Sequence, residues 1–407
     1  MKIRDILICA GICGLLCSCR TVDTTTDMIG TYQYDVDFFR SQKIETLELA
    51  SVDGQARVLI VPDYQARVMT STAAGTAGES YGWINHALIA SGEISDQFNP
   101  FGGEERFWLG PEGGKFSWYF KPGEEQVYAN WRVPPLLDTE SFPLIGRGVR
   151  SYTFNKKATL GNASGTEFQM EIERKISLLN SAQTEESLGV KLGAELKTVA
   201  YETENILTNR GREAWSRESG LPSIWLLGMF NPSRTTTVFI PYNKEGGGRI
   251  VNDEYFGKVP AERLIVDEAE GIIYFKIDGE CRTKIGLPAQ RALEICGSYD
   301  SEKKLLTLLR YTLPEGEVHY VNGQWGEQED PFNGDVINSY NDGPTDAGTI
   351  MGPFYEIESS SPGAELRPGE SLTHTQQVFH IQGEEAQIEP IVRKLLGIGL
   401  KSITERF

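Results

Sequence analysis

Between about Tyr32 and Ile381 the chain is a succession of short segments rich in β-branched and aromatic residues, and this constrains the fold more than any other feature. Val58-Leu-Ile-Val-Pro62, Arg67-Val-Met-Thr-Ser71, Phe168-Gln-Met-Glu-Ile172, Thr236-Thr-Val-Phe-Ile240, Ile272-Ile-Tyr-Phe-Lys-Ile277 and Leu305-Leu-Thr-Leu-Leu309 are each of strand length. Gly, Pro, Asn or Asp clusters bound most of them, as turns require. No helix-length segments alternate with them, which argues against a doubly wound parallel sheet. No fixed period recurs, which argues against propellers and solenoids. The expected class is therefore all-β and mainly antiparallel. No Pro/Ser-rich linker divides residues 31–407, so a single domain is expected. One helix is predicted, over about 384–404, where Ile388, Ile391, Val392, Leu395 and Leu396 recur at helical spacing. Glu384 and Glu385 near its start and Arg393, Lys394 and Lys401 further on suit the helix dipole.

The N-terminus reads as a processing signal. Lys2 and Arg4 precede a short apolar run, Ile6 to Leu16, too short for a permanent membrane span. Leu16-Cys17-Ser18-Cys19 has the order of a bacterial lipobox. The expectation is a signal peptide over 1–18, acylation of Cys19, and a polar Thr-rich tether over 19–30. The protein would then sit in a bacterial cell envelope, lipid-anchored on the periplasmic face or at the outer-membrane surface. After cleavage only Cys281 and Cys296 remain in the body. Both lie in β-like stretches flanking Gly286-Leu287-Pro288, read as a turn, so either a cross-strand disulfide or two buried reduced thiols fits. The net charge of −18 argues against a nucleic-acid partner and against the body lying flat on anionic lipid.

Histidine is scarce: His86, His319, His374 and His380 are the whole supply. Neither a zinc-hydrolase spacing nor a Gly-x-Ser-x-Gly elbow, phosphate loop or dinucleotide fingerprint occurs. The chemistry-bearing residues fall in four clusters. In Phe101-Gly-Gly-Glu-Glu-Arg-Phe-Trp-Leu-Gly-Pro-Glu112, the paired glycines permit close backbone approach, Arg106 offers a fork of donors, and Trp108 a flat face for a sugar ring. Glu112 adds a carboxylate. The bland account is a tight turn, with Trp108 in the core and Arg106 paired to Glu104 or Glu105. The second cluster sets Asn85 and His86 on an otherwise apolar segment, where a lone histidine is usually a satisfied core residue. In the third, Asp330, Asn333, Asp335, Asn338, Asn341 and Asp342 are too dense to favour a strand. They read as turns, with a structural calcium as the alternative in a chain otherwise expected to need no cofactor. In the fourth, alternation puts Glu356 and Glu358 on one face of a strand, where burial would raise a carboxyl pKa toward that of a proton-transfer group.

The fourth cluster, followed by Leu366-Arg-Pro-Gly-Glu370 and a last strand, resembles the closing region of aldose 1-epimerases (galactose mutarotases). The resemblance implies a β-supersandwich with a concave sugar-binding face and makes Glu356 the counterpart of the catalytic base. Asn85-His86 resembles that family's Asn-Arg substrate motif, and Gly102-Gly103 to Trp108 its His-Gly-Gly segment with a following Arg and Trp. The chain departs from the pattern at three places. Phe101 stands where the family has a histidine, Arg210 follows Thr208-Asn209 where it has a second, and His86 replaces the usual arginine. The usual acid is thus missing, and His86 or His319 would have to supply it. Nearly the whole body also resembles an uncharacterised family of Bacteroidota envelope lipoproteins (DUF6786-like). The segments carrying this are Tyr34-Asp-Val-Asp-Phe38, Arg106-Phe-Trp-Leu-Gly-Pro-Glu112, Gly297-Ser-Tyr-Asp300 and Asn338-Ser-Tyr-Asn-Asp-Gly343.

Two readings follow. In one, the protein acts on carbohydrate, epimerase-like or lyase-like, with Glu356 as base and His86 as acid. Asn85, Arg106, Trp108, Glu112, His319, Asp335, Asn338, Tyr340 and Asp342 would then contact the sugar. In the other, it is a glycan-binding lipoprotein that has lost the acid.

Overall fold

The computed structural model describes residues 28–316, 318–345 and 348–407. The signal peptide, Cys19 and most of the tether lie outside the described residues. Antiparallel strands make up three sheets.

The largest has ten strands. In sheet order they are β11 (Leu264–Asp267), β12 (Ile272–Lys276), β10 (Thr236–Pro241), β14 (Ile295–Asp300), β15 (Leu305–Tyr311), β18 (Ser371–Gln382), β8 (Lys197–Asn209), β7 (Glu167–Leu178), β6 (Ser151–Gly161) and β5 (Leu144–Arg147). β7 shows why these sequences make strands: Phe168, Met170, Ile172, Arg174, Ile176 and Leu178 point inward while the residues between them face outward. The second sheet has five strands, in the order β13 (Thr283–Pro288), β16 (Asp335–Asn341), β17 (Tyr355–Ser360), β9 (Ser223–Phe230) and β4 (Arg106–Gly110). The third is a small meander of β1 (Leu47–Ala50), β2 (Arg57–Val61) and β3 (Arg67–Thr72).

The main core joins inward residues of all three sheets, among them Ile172, Tyr201, Ile285, Ile337, Ile357 and Val58. The outer face of the large sheet is apolar as well. Phe239, Tyr274, Leu308 and Phe379 there are covered by Ile388, Ile391 and Val392 of the C-terminal helix. That helix runs Glu385–Leu396, closes on Gly397 in a left-handed conformation, and is followed by a separate turn of helix at Lys401–Thr404. The continuous helix expected over 384–404 is thus broken at the glycine.

Three other expectations need correction. The first structured residues are a helix, α1 (Tyr32–Ser41), capped by Thr31; its Tyr32 and Phe39 pack on Leu59, Val61 and Met69. The Asp/Asn-rich stretch does form a strand, β16, because its polar side chains find partners there. Asn338 donates to Tyr255 Oη and the Ile285 carbonyl, and Asn341 to Asp278 and the Cys281 carbonyl. Finally, Gly286-Leu287-Pro288 lies within β13, and Cys281 and Cys296 are both free. Cys281 leads into the five-stranded sheet and Cys296 lies in the ten-stranded one, so no cross-strand bridge can form between them.

Candidate functional site

Because side chains alternate across a strand, antiparallel register lines up residues of successive strands on one face. On one face of the five-stranded sheet, Lys284, Tyr340, Glu356 and Met229 are neighbours across four strands. The next row on the same face is Gly286, Asn338, Glu358, Leu227 and Arg106, and Trp225 and Trp108 pair in the row beyond. Above this face lies an open cleft of about 590 Å³, walled by Phe98, Trp131, Trp325 and Phe354, with Tyr128, Phe256 and Arg282 among its lining. Trp131 stacks on Trp325 and Tyr128, and Phe98 meets the edge of Trp108.

Two ion pairs occupy the floor. Arg106 donates to Glu356 Oε1 through a short bond and lies between the rings of Trp108 and Phe98. Lys284 contacts Glu358 at 3.0 Å, and the Trp225 indole N–H donates to the same carboxylate at 2.9 Å. Glu356 and Glu358 thus share a buried face, as the alternation predicts. Burial and the negative Glu358 push the Glu356 carboxyl from 4.5 up to about 7, against the pull of Arg106. Burial likewise raises the carboxyl of Glu112 in the cleft wall, with Lys284 opposing. Lys284 is held above its ordinary value, because Glu358, Glu112 and Glu356 outweigh its own burial. The second Glu356 oxygen, Oε2, makes no hydrogen bond to a described residue and is not enclosed.

Arg106, Trp108, Glu112, Tyr340 and Glu356 therefore converge, although sequence distance separates them widely. Asp342 adjoins them by accepting from Tyr340 Oη at 2.7 Å. Asp335 and Asn338 line a smaller crevice that shares Glu112, Trp225 and Lys284 with the cleft. The pairing of Arg106 with Glu104 or Glu105 is not observed. Glu104 accepts from Ser71 and His380, and Glu105 pairs with Arg174 at 2.9 Å.

Asn85 and His86 do not line the cleft. The Asn85 side chain caps the short helix His86–Ser91, and His86 Nε2 bonds Asp35 of α1 at 2.6 Å, so both are occupied in fixing that helix. His319 is also absent from the cleft lining; its carbonyl accepts from Gly363 N–H. In the stretch expected to hold calcium, Asp335 Oδ2 accepts from Tyr255 and Asn252 and Asp342 from Tyr340 and Gly352, and among the described residues no three His, Cys, Asp or Glu side chains converge.

Lys284, Trp225, Met229, Trp131 and Arg282 were not singled out from the sequence. Only their alternation within apolar runs could have flagged them, and it does not say which face is the open one. A larger groove of about 1210 Å³ lies elsewhere, around Trp118, Pro134 and Gly161. Two titratable groups at its wall have displaced pKa values: Asp138, raised to about 6 by burial and held by Asn99, and Tyr119, raised by burial. Its charged residues, Asp96, Lys121, Arg132 and Asp138, form no ion pair among the described residues, unlike Arg106–Glu356 and Lys284–Glu358 in the aromatic cleft.

Among solved structures the fold is similar to a candidate aldose 1-epimerase from Escherichia coli K12, at 12% identity and a TM-score of 0.50, covering 84% of this chain and 100% of that one. It is also similar to the Slr1438 protein of Synechocystis sp. PCC 6803, at 13% identity and 0.50, covering 84% and 96%. A galactose mutarotase-like protein from Lactobacillus casei aligns at 9% identity and 0.45, covering 83% and 100%. The first two show the fold, a mainly antiparallel β-sandwich shared with the candidate aldose 1-epimerase. No curated protein matches the chain. The model of a family of unknown function, DUF6786, matches residues 30–407, and the chain belongs to that family.

Proposed function

We propose that the protein binds carbohydrate in the aromatic cleft and exchanges a proton with it through Glu356, in epimerase-like chemistry. One observation carries this reading. Glu356 is a buried carboxyl with one oxygen anchored by Arg106 and the other open to a cleft walled by indole and phenyl rings. Aromatic faces suit the C–H faces of sugar rings, and a carboxyl displaced toward neutrality suits general acid–base work. The solved structures with this fold agree with a sugar ligand without establishing one.

A second reading, binding without turnover, is favoured by the residue across the strand from Glu356. It is Met229, which cannot donate a proton, and the phenol proton of Tyr340 is already given to Asp342. We also propose, from the sequence, that acylated Cys19 tethers the body to a membrane of the cell envelope.

Proton NMR of the purified full chain with a panel of mono- and oligosaccharides separates the readings. Saturation transfer reports binding, and anomeric exchange or new signals report turnover. The expected result is turnover that falls about 100-fold or more in Glu356→Gln while binding stays within a few-fold. Binding with no turnover in the parent protein would establish the second reading. Silence across the panel would sink both.

A further inference from the structure

Of the three cations lining the cleft, two are committed: Arg106 to Glu356 and Lys284 to Glu358. The third, Arg282, has no carboxylate within 4.0 Å among the described residues. Its guanidinium carbon lies over the Phe256 ring, 3.9 Å from the centroid, and its Nε donates to Tyr340 Oη at 3.3 Å. Tyr340 Oη in turn donates to Asp342 Oδ1. The acid at the end of this chain of bonds is already engaged: Asp342 accepts from Tyr340 and from the Gly352 N–H. The two terminal amino groups of Arg282 make no hydrogen bond to a described residue and are not enclosed. A guanidinium fixed at Nε and by stacking presents those two groups as a ready fork, with little rotamer freedom left to lose on binding.

We infer that Arg282 receives an anionic substituent of the ligand, so that the cleft selects acidic sugars (carboxylated, sulfated or phosphorylated) over neutral ones. The inference rests on the carbohydrate reading of the same cleft. Planar bidentate pairing with an oxyanion is what an unpaired arginine fork does best. The overall charge of −18 works against an anion at long range. Selectivity must therefore come from contact inside the cleft, where screening is weaker than at the surface.

The test is titration of the full chain with matched pairs: glucose, glucuronate, glucose 6-sulfate and glucose 6-phosphate, and the corresponding galactose series. At least one acidic form is expected to bind about tenfold tighter than its neutral parent, the lower end for a charge-assisted bond. Which form gains most identifies the oxyanion. Arg282→Gln should erase the preference, so that acidic and neutral forms bind alike, and Arg282→Lys should restore part of it. Arg282 is half-buried at the cleft wall, so unchanged thermal unfolding of both variants serves as the folding control. Equal binding of acidic and neutral sugars, or a preference that survives Arg282→Gln, overturns this inference alone. Absence of binding by every sugar overturns the carbohydrate reading and this inference with it.

Discussion

Glu356 combines a displaced pKa with an open oxygen, and the two together fix a pH dependence. As a base it must be ionised, so turnover is expected to rise as pH passes through about 7, and a rate profile should lose that limb in Glu356→Gln. The effect on stability has the opposite sense. The folded carboxyl holds its proton to higher pH than the unfolded one, so this group's contribution to stability falls as pH rises from 4.5 toward 7. Cysteine gives a second expectation at this scale. Burial pushes the Cys296 thiol up to about 12, whereas Cys281 is half-buried. In the mature chain a thiol reagent at pH 8 should modify Cys281 alone until denaturant is added, then both, with no disulfide on a non-reducing gel. Glu356 was legible from strand alternation with Glu358 and from the family resemblance, and Arg106, Trp108 and Glu112 because arginine, tryptophan and acids stand out among glycines. His86 was misleading for the same reason. It stood out, but its partner Asp35, 51 residues away, makes it part of the packing.

The strands were readable from their β-branched runs, but register was not, since it depends on which face each run buries. Register places Lys284, Tyr340 and Met229 around Glu356, and the apolar run of β9 gave no hint of it. β16 escaped notice because its density of Asn and Asp is normally a turn signal, overridden here by partners on β13 and its flanks. Buried polar pairs between elements also set stability. Arg174 of β7 and Glu105 are both fully buried, and Thr203 and Gln376 donate to the same carboxylate. Removing one partner leaves a buried charge, so Arg174→Met is expected to cost about 3–5 kcal/mol in urea unfolding. The double change Arg174→Met/Glu105→Gln should recover part of that. Gly102 and Gly103, both at positive φ, hold the segment leading into β4. A Cβ on Gly102 would fall 2.1 Å from the Trp83 carbonyl oxygen. Gly102→Ala should therefore lower sugar affinity as well as stability, by displacing Arg106 and Trp108.

At the scale of the molecule, the all-β class followed from the spacing of the strands. The division into three sheets did not, because it rests on pairings such as β8 with β18 and β4 with β9, between segments more than a hundred residues apart. No described helix is long and apolar enough to cross a membrane; the attachment proposed from the sequence is at Cys19. Cys19→Ser is expected to abolish incorporation of labelled palmitate and to release the protein from the membrane fraction; retention of either would refute acylation there. Arg106 and Glu356 lie 250 residues apart, yet neither can be discarded alone without stranding a charge inside the cleft. Descent within the family should carry that mark. Lineages are expected to keep the two residues together or to replace them together, and a homologue holding only one would be the place to look for a changed activity.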